Sequence, residues 1–257
     1  MSDTTIPAAR SALGVLRVLA ARGGPLRATT LARELAVPRS SMYQLLAVLR
    51  DEGFVVHYPE DRTYGLSDFV AQLGSAASAS ERIARLARPL LERLVASAPA
   101  PVVAHLAVLG GADVVYAGRV QGFRAPTTVS DVGVRLPAHL TATGRAMLAA
   151  LPRAQVRALY PSGDALIHRN ETGPSTLREL DALLGVARDR GWASEDGDVT
   201  PEYASVGAAA LDRNDYPAAA IGVTFLRAAV DDTTQDMLKA ATVEAAAALT
   251  ARLTGRG

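Results

Sequence analysis

Along the first third of the chain the apolar positions recur with a helical period three times and then switch to strand alternation. Leu13, Leu16, Val18 and Leu19 mark a first helix in RSALGVLRVLAARGG, which stops at Gly23-Gly24-Pro25. TTLARELA predicts a second, with Thr29 or Thr30 as its N-cap and Leu31 and Leu35 facing inward. About three residues later a third helix opens in AVPRSSMYQLLAVLRDEG, with Pro38 in its first turn, where a missing N–H costs nothing. Met42, Leu45, Leu46 and Leu49 follow the i, i+3, i+4, i+7 spacing and make one apolar stripe, so Arg39, Ser40, Tyr43, Gln44 and Ala47 point the other way. After Gly53, the segments FVVHY and TYGLS flank a PEDR turn and read as a two-stranded ribbon.

From Ser67 to Ser80 the residues are small and polar, and ERIARLARPLLERLVASA then resumes a strong helical stripe at Ile83, Leu86, Leu90, Leu91 and Leu94. The expected organisation is a helical domain over 1–66, a linker helix over 67–80 that breaks near Ser78–Ser80, and a second domain over 81–257. In that second domain VVAHLAVL, a GGAD turn and VVYAGRVQG form a hairpin, and WASED, ASVGAAALD and AAAIGVTFL supply further strands. Helices are expected at TATGRAMLAAL, PRAQVRALY, STLRELDALLGVARDR and TQDMLKAATVEAAAALTARL. The alternation is too irregular for a doubly wound parallel sheet, so the fold class is two-domain α+β with an antiparallel sheet carrying helices on its faces.

Composition narrows the chemistry. The 257 residues contain no cysteine, which excludes a disulfide framework and a thiolate metal site, and His57, His105, His139 and His168 are too scattered for a local ligand cluster. No apolar run approaches the ~20 residues that span a bilayer, and MSDTTIPAAR lacks the blocks of a signal peptide, so a cytoplasmic protein with no membrane partner is expected. Met1 to Pro7 reads as a flexible tail without a role. Net charge is only +1, so binding to phosphates must come from a local patch. Residues 1–66 hold eight arginines against six acids, a modest excess of two.

Two stretches carry candidate chemistry. A helix, a tight turn, a second helix and a hairpin make a winged helix-turn-helix, whose second helix enters a major groove. Thr29, Arg39, Ser40, Ser41 and Tyr43 then suit phosphate oxygens, Gln44 suits an adenine edge, and Arg62 at the ribbon tip suits a minor groove or backbone. The competing reading makes these the solvated faces of a small bundle, with Tyr43 half-buried and Arg50 in a surface ion network with Asp51 and Glu52.

The second stretch is SDVGVRLPAHLTATGRAMLAAL, residues 130–151, where Thr141 caps a helix whose first N–H groups face whatever lies before it. A small carboxylate is the natural occupant. Alternatively Thr141 is merely a cap and Gly144 a close-packing site, and His139 is an orienting or packed histidine because no nucleophile or carboxylate partners it locally.

From about Arg10 to Leu253 the chain resembles the IclR family of bacterial transcriptional regulators. The match is carried by G-x-R-x-P-x-H-x-T-A-x-G-[KR]-A-x-L-A, present as Gly133, Arg135, Pro137, His139, Thr141, Ala142, Gly144, Arg145, Ala146, Leu148 and Ala149, and by blocks such as VPRSSMYQLLAVLRDEGFV and RGWASEDG. The resemblance implies a winged helix-turn-helix, a linker helix and a GAF-like domain that senses a small organic acid, in dimers often paired into tetramers. It places the effector pocket at Thr128, Ala142, Thr143, Glu195, Tyr203, Ser205, Gly222 and Thr224. Ser205 stands where many members have cysteine and Gly222 where some have serine, implying a roomier pocket and, with Tyr203, an aromatic carboxylate.

The expected function is a repressor, without cofactor or metal, that binds a pseudo-palindromic double-stranded DNA operator as a homodimer or homotetramer under control of that acid. The alternatives are an architectural DNA binder that takes no ligand and, from the same helix start, an enzyme processing a small acid. The enzyme reading lacks a nucleophile with its base, paired carboxylates or a metal cluster near that helix.

Overall fold

The structure is a computed structural model that describes residues 6–170 and 172–255, with the backbone alone for 75–79. The tail expected at Met1–Pro7 lies up to Thr5 outside the described residues. The chain divides into two compact units, Met1–Ala79 and Ser80–Gly257.

In the first unit the elements run α1 (Pro7–Arg22), β1 (Leu26–Arg27), α2 (Ala28–Glu34), α3 (Arg39–Asp51), β2 (Val55–Tyr58) and β3 (Thr63–Leu66). Val15, Leu19, Leu31, Met42, Leu46, Leu49 and Val55 form the core. α1 ends as expected on a left-handed Gly23. Its outward side differs from the prediction: Val15 takes the buried place and Leu13 is 68% exposed. The expected caps Thr29 and Thr30 lie instead inside α2, which starts one residue earlier behind Arg27 and has no side-chain cap. The cause is β1: Leu26 and Arg27 pair with Tyr64 and Thr63 of β3, so the strand delivers the chain directly into the helix. Pro38 is the residue before α3 rather than its first-turn residue. Leu45 is only half-buried beside the buried Met42, Leu46 and Leu49. The sheet order β1-β3-β2 turns the expected two-stranded ribbon into a three-stranded wing.

α4 runs without interruption from Asp68 to Ser97. The break expected near Ser78–Ser80 is absent, because alanine and serine are tolerated in a helix interior and neither glycine nor proline stops the chain there.

The second unit is built on one six-stranded antiparallel sheet of order β6-β5-β4-β9-β8-β7, from β4 (Val103–Gly110), β5 (Asp113–Gln121), β6 (Arg135–Pro137), β7 (Ala193–Asp196), β8 (Tyr203–Leu211) and β9 (Pro217–Leu226). On one face Ala107, Val114, Tyr116 and Ala220 pack against Met147 and Leu148 of α5 (Ala142–Ala150), Val156 of α6 (Arg153–Leu159) and Leu180 and Leu184 of α7 (Leu177–Arg190). On the other, Leu106, Ile221 and Val223 pack against Leu90, Leu91 and Leu94 of α4 and Leu238 and Leu249 of α8 (Asp232–Thr254). Alternating strand residues therefore feed two cores, and the sheet lies between helices.

Candidate functional site: an exposed helix face and a buried helix end

α3 exposes Arg39, Ser40, Tyr43 and Gln44, and Ser41 is half-buried at their margin. Tyr43 is 52% exposed, so the half-buried alternative for it does not hold. Arg50 donates to Asp51 at 2.9 and 3.1 Å, the surface pairing expected of it. Thr29 is exposed in the first turn of α2, and Arg62 is exposed at the wing turn with left-handed backbone, φ 55°. The polar residues singled out from the stripe pattern are thus available on the surface of one unit.

The second site begins with a helix that is buried on every side. Residues Ala142 to Ala149 of α5 are all buried, and glycines make that possible. A Cβ on Gly144 would sit 2.2 Å from the Ala138 carbonyl oxygen, and one on Gly207 would sit 2.6 Å from the Thr143 nitrogen. Gly207 pairs with Gly222 on the neighbouring strand, so the start of α5 rests on a bare patch of sheet. Thr141 Oγ1 accepts from the Gly144 amide at 3.0 Å. The amides of Ala142 and Thr143 have no acceptor among the described residues, and the buried Thr143 Oγ1 stands beside the Tyr116 hydroxyl. Thr141 is thus a cap and Gly144 a packing site, as the second expectation for this stretch has it, and Ala142 and Thr143 also line a cavity.

All eight expected pocket residues line that cavity: Thr128, Ala142, Thr143, Glu195, Tyr203, Ser205, Gly222 and Thr224. The expected extra room is not there. A side chain at Gly222 would meet Thr143 Cγ2 at 2.6 Å, so the space the glycine leaves is filled by the threonine methyl. The free volume is about 30 Å³. One water needs ~10–15 Å³ on that measure, so the space in this conformation is that of about two waters.

Sequence reasoning missed His105, Tyr116 and Ser130, which also line the cavity. The available signal was His105 itself, the one ionisable residue in the apolar run VVAHLAVL. Its Nε2 lies 3.1 Å from Thr224 Oγ1 and its Nδ1 lies 3.3 Å from Ser130 Oγ. Burial, reinforced by Arg119, pushes its pKa down to about 3, so it is a neutral imidazole. Burial pushes Tyr116 up to about 12. Glu195 accepts from Ser205 Oγ at 2.5 Å and from the Asp198 amide at 3.1 Å. Burial, with the Asp198 charge, nevertheless raises it to about 7 against the opposing effects of those bonds and of Arg145.

Arg145 anchors α5 outside the cavity lining. Its guanidinium donates to the His139 carbonyl at 2.7 Å, to the Ser194 carbonyl at 2.8 Å and to Asp198. His139 stands outside the cavity, its Nε2 bonded to the Ile167 carbonyl and its ring edge-on to Tyr160. Gly133, in left-handed backbone, and Arg135, bonded to the Gly110 carbonyl, shape the approach to the motif. The described residues hold no cluster of three or more metal-ligating side chains, and no described helix is long and apolar enough to cross a membrane.

Comparison with known proteins agrees with this geometry. The profile described as Bacterial transcriptional regulator IclR C-terminal matches residues 75–251, and that of the IclR helix-turn-helix domain matches residues 8–59. The HTH-type transcriptional regulator XynR of Escherichia coli is 26% identical over 230 residues, 88% of this chain and 89% of its own. The Thermotoga maritima IclR structure superposes with a TM-score of 0.65 at 20% identity, covering 97% of this chain and 99% of that one. An IclR homologue complexed with 4-hydroxybenzoate from Microbacterium hydrocarbonoxydans gives 0.59 at 19% identity over 96% and 98% of the two chains. The curated relatives are transcriptional regulators rather than enzymes. A helix-turn-helix unit and a C-terminal domain each matched by its own profile make this chain a member of the IclR family of bacterial transcriptional regulators.

Proposed function

We propose that the protein is a repressor that binds a pseudo-palindromic operator as a homodimer or homotetramer and that a small organic acid, seated at the α5 N-terminus, controls that binding. The observation that carries this is the pair of unaccepted amides at Ala142 and Thr143, residues that line a polar cavity, in a chain whose other unit exposes Arg39, Tyr43 and Gln44. Amides at a helix start, with the dipole behind them, favour a carboxylate. Thr128, Glu195, Tyr203, Ser205 and Thr224 supply the directional polar contacts around it, and Arg39, Gln44 and Arg62 contact DNA with Thr29, Ser40, Ser41 and Tyr43. Control requires that the acid bind one arrangement of the DNA-binding units better than another, and α4, common to both units, carries that preference.

The free volume of about 30 Å³ favours a two- or three-carbon acid. The second reading, an aromatic acid, is supported by the 4-hydroxybenzoate complex of the Microbacterium neighbour and requires the Thr128–Ser130 mouth to open.

The test is thermal unfolding with pyruvate, glyoxylate and 4-hydroxybenzoate, followed by gel shifts of the DNA upstream of the gene with the stabilising acid. Arg39→Ala and Gln44→Ala should each weaken DNA binding by about 1–3 kcal/mol while leaving acid-induced stabilisation intact. Flat melting profiles with intact DNA binding would favour a ligand-free architectural role, and turnover of an acid an enzyme.

A further inference from the structure

Six polar groups lie within hydrogen-bond distance of one another from the mouth of the cavity to its acid, and Ser130 donates outward to Thr128. Thr128 Oγ1 lies 2.9 Å from Ser130 Oγ, which lies 3.3 Å from His105 Nδ1 and 3.4 Å from its Nε2. His105 Nε2 reaches Thr224 Oγ1 at 3.1 Å, Thr224 Oγ1 reaches Ser205 Oγ at 2.9 Å, and Ser205 Oγ reaches Glu195 Oε1 at 2.5 Å. The register builds the row: Glu195 stands opposite Ser205, and Ser205 opposite Thr224, across β7, β8 and β9. Thr128 is half-buried and Ser130 buried, so the chain begins near solvent and ends inside.

Counting protons shows what this row can do. Each hydroxyl has one proton to donate and a neutral imidazole has one N–H. Ser130 donates to Thr128, so with Glu195 ionised the row that points toward it begins at the imidazole: Nε2–H donates to Thr224, Thr224 to Ser205 and Ser205 to the carboxylate. With Glu195 protonated, these three donations reverse and His105 carries its proton on Nδ1, toward Ser130. One proton entering at Nδ1 from the mouth of the cavity and one hop across each of the three bonds converts the first pattern into the second, with no group left charged.

The charged and titratable groups around Glu195 explain why the second pattern matters. Arg145 of α5 is already committed to Asp198 and two carbonyls, and Asp196 is paired with Arg227. Glu179 of α7 adds a further acid across the adjoining cleft, while His105 of β4 and Tyr116 of β5 are neutral. A carboxylate at the Ala142 and Thr143 amides therefore faces Glu195 without a spare cation between them.

We infer that the cavity takes its acid as a carboxylate together with one proton, which passes along the His105–Thr224–Ser205 row to Glu195. This rests on the proposed effector role of the site. A pKa for Glu195 raised to about 7 agrees with it, since a second anion nearby completes the protonation that burial has begun.

Two measurements test it on the full chain. The first needs no ligand: in protein labelled with ¹⁵N-histidine, His105 should change from the Nδ1–H to the Nε2–H tautomer between pH 5 and pH 9, without becoming imidazolium. In Glu195→Gln, whose amide N–H donates to Ser205 as the protonated acid would, it should stay Nδ1–H throughout. Thr224→Val, nearly isosteric, should uncouple His105 from pH even if the glutamine variant fails to fold. One tautomer at all pH values in the unaltered protein overturns the relay. The second measurement is calorimetry with pyruvate and with 4-hydroxybenzoate, in buffers of different ionisation heat at pH 8. One proton should be taken up per acid bound, and Kd should rise about tenfold per pH unit above 7, with neither effect in Glu195→Gln. An acid that binds without proton uptake overturns this inference and leaves the effector role standing. Failure of every acid to bind removes both, whatever the tautomer does.

Discussion

α3 and α5 both carry a proposed site, and the two sites use opposite parts of a helix. α3 buries one stripe, Met42, Leu46 and Leu49, and offers its side: guanidinium, hydroxyl and amide groups on side chains. α5 buries every side and offers its end, two backbone amides that no side-chain pattern announces. An outward side tolerates substitution at the cost of one contact. A buried end depends on everything that wedges it in place, so its tolerance is set by neighbours such as Gly207, Gly222 and Arg145.

Each helix has an arginine in its first turn, and exchanging each for alanine breaks the comparison most directly. Arg145 is 4% exposed and has three acceptors, one of them the buried Asp198 carboxylate. Arg145→Ala should cost about 3–5 kcal/mol, because it strands that carboxylate without a partner, and denaturant titration of the second unit should show it. Arg39→Ala, on an exposed side chain, should move the unfolding midpoint of the first unit by less than about 0.5 kcal/mol. Equal losses at the two positions would erase the distinction between a side and an end.

The next effect appears only as pH is varied. The pKa of Glu195, raised to about 7 in the fold from an ordinary 4.5, means that the folded chain holds a proton the unfolded chain releases. Its stabilising contribution is full below 4.5 and is lost as pH rises through 7. His105, lowered from 6.5 to about 3, acts oppositely: its contribution is present above 6.5 and is lost as pH falls toward 3. Between about 4.5 and 6.5 the two slopes offset each other. Glu195→Gln removes one of them, so its stability relative to the unaltered protein should rise by up to about 1.4 kcal/mol per pH unit between 4.5 and 7. Unfolding free energies of both proteins across that range measure the difference, and parallel curves would place Glu195 at an ordinary acidity.

The same contrast explains how far the sequence could be read. The side of α3 was legible because a 3.6-residue stripe needs only the chain itself, and the wing and the β4–β5 hairpin were legible from turn residues. What escaped depends on partners distant in sequence. β1 is two residues that become a strand only through Tyr64 and Thr63, and Leu13 is outward because Val15 fills the core. The end of α5 was found through Thr141 and the family motif, yet the glycine pair that lets it approach the sheet is visible only in the register of β8 with β9. His105 was overlooked because its hydrogen-bond partners, Ser130 and Thr224, lie 25 and 119 residues away. The room at Gly222 was misjudged for a related reason: a glycine suggests space, but the Thr143 methyl fills it.

The smallest expected effect concerns the wing, where side chain and backbone can be separated at one residue. Arg62 is exposed and left-handed at φ 55°, a conformation that costs a residue with a Cβ about 1 kcal/mol relative to glycine. A residue held in that conformation by the turn projects its guanidinium beyond the ribbon, which suits one phosphate contact. Arg62→Ala should leave stability nearly unchanged and lower the slope of log K against log salt by about 1, since one counterion fewer is released. Arg62→Lys should keep the slope, and Arg62→Gly should lose it while gaining the relieved backbone strain. A slope that survives in the alanine variant would move the wing off the phosphate backbone and leave α3 alone as the surface that meets DNA.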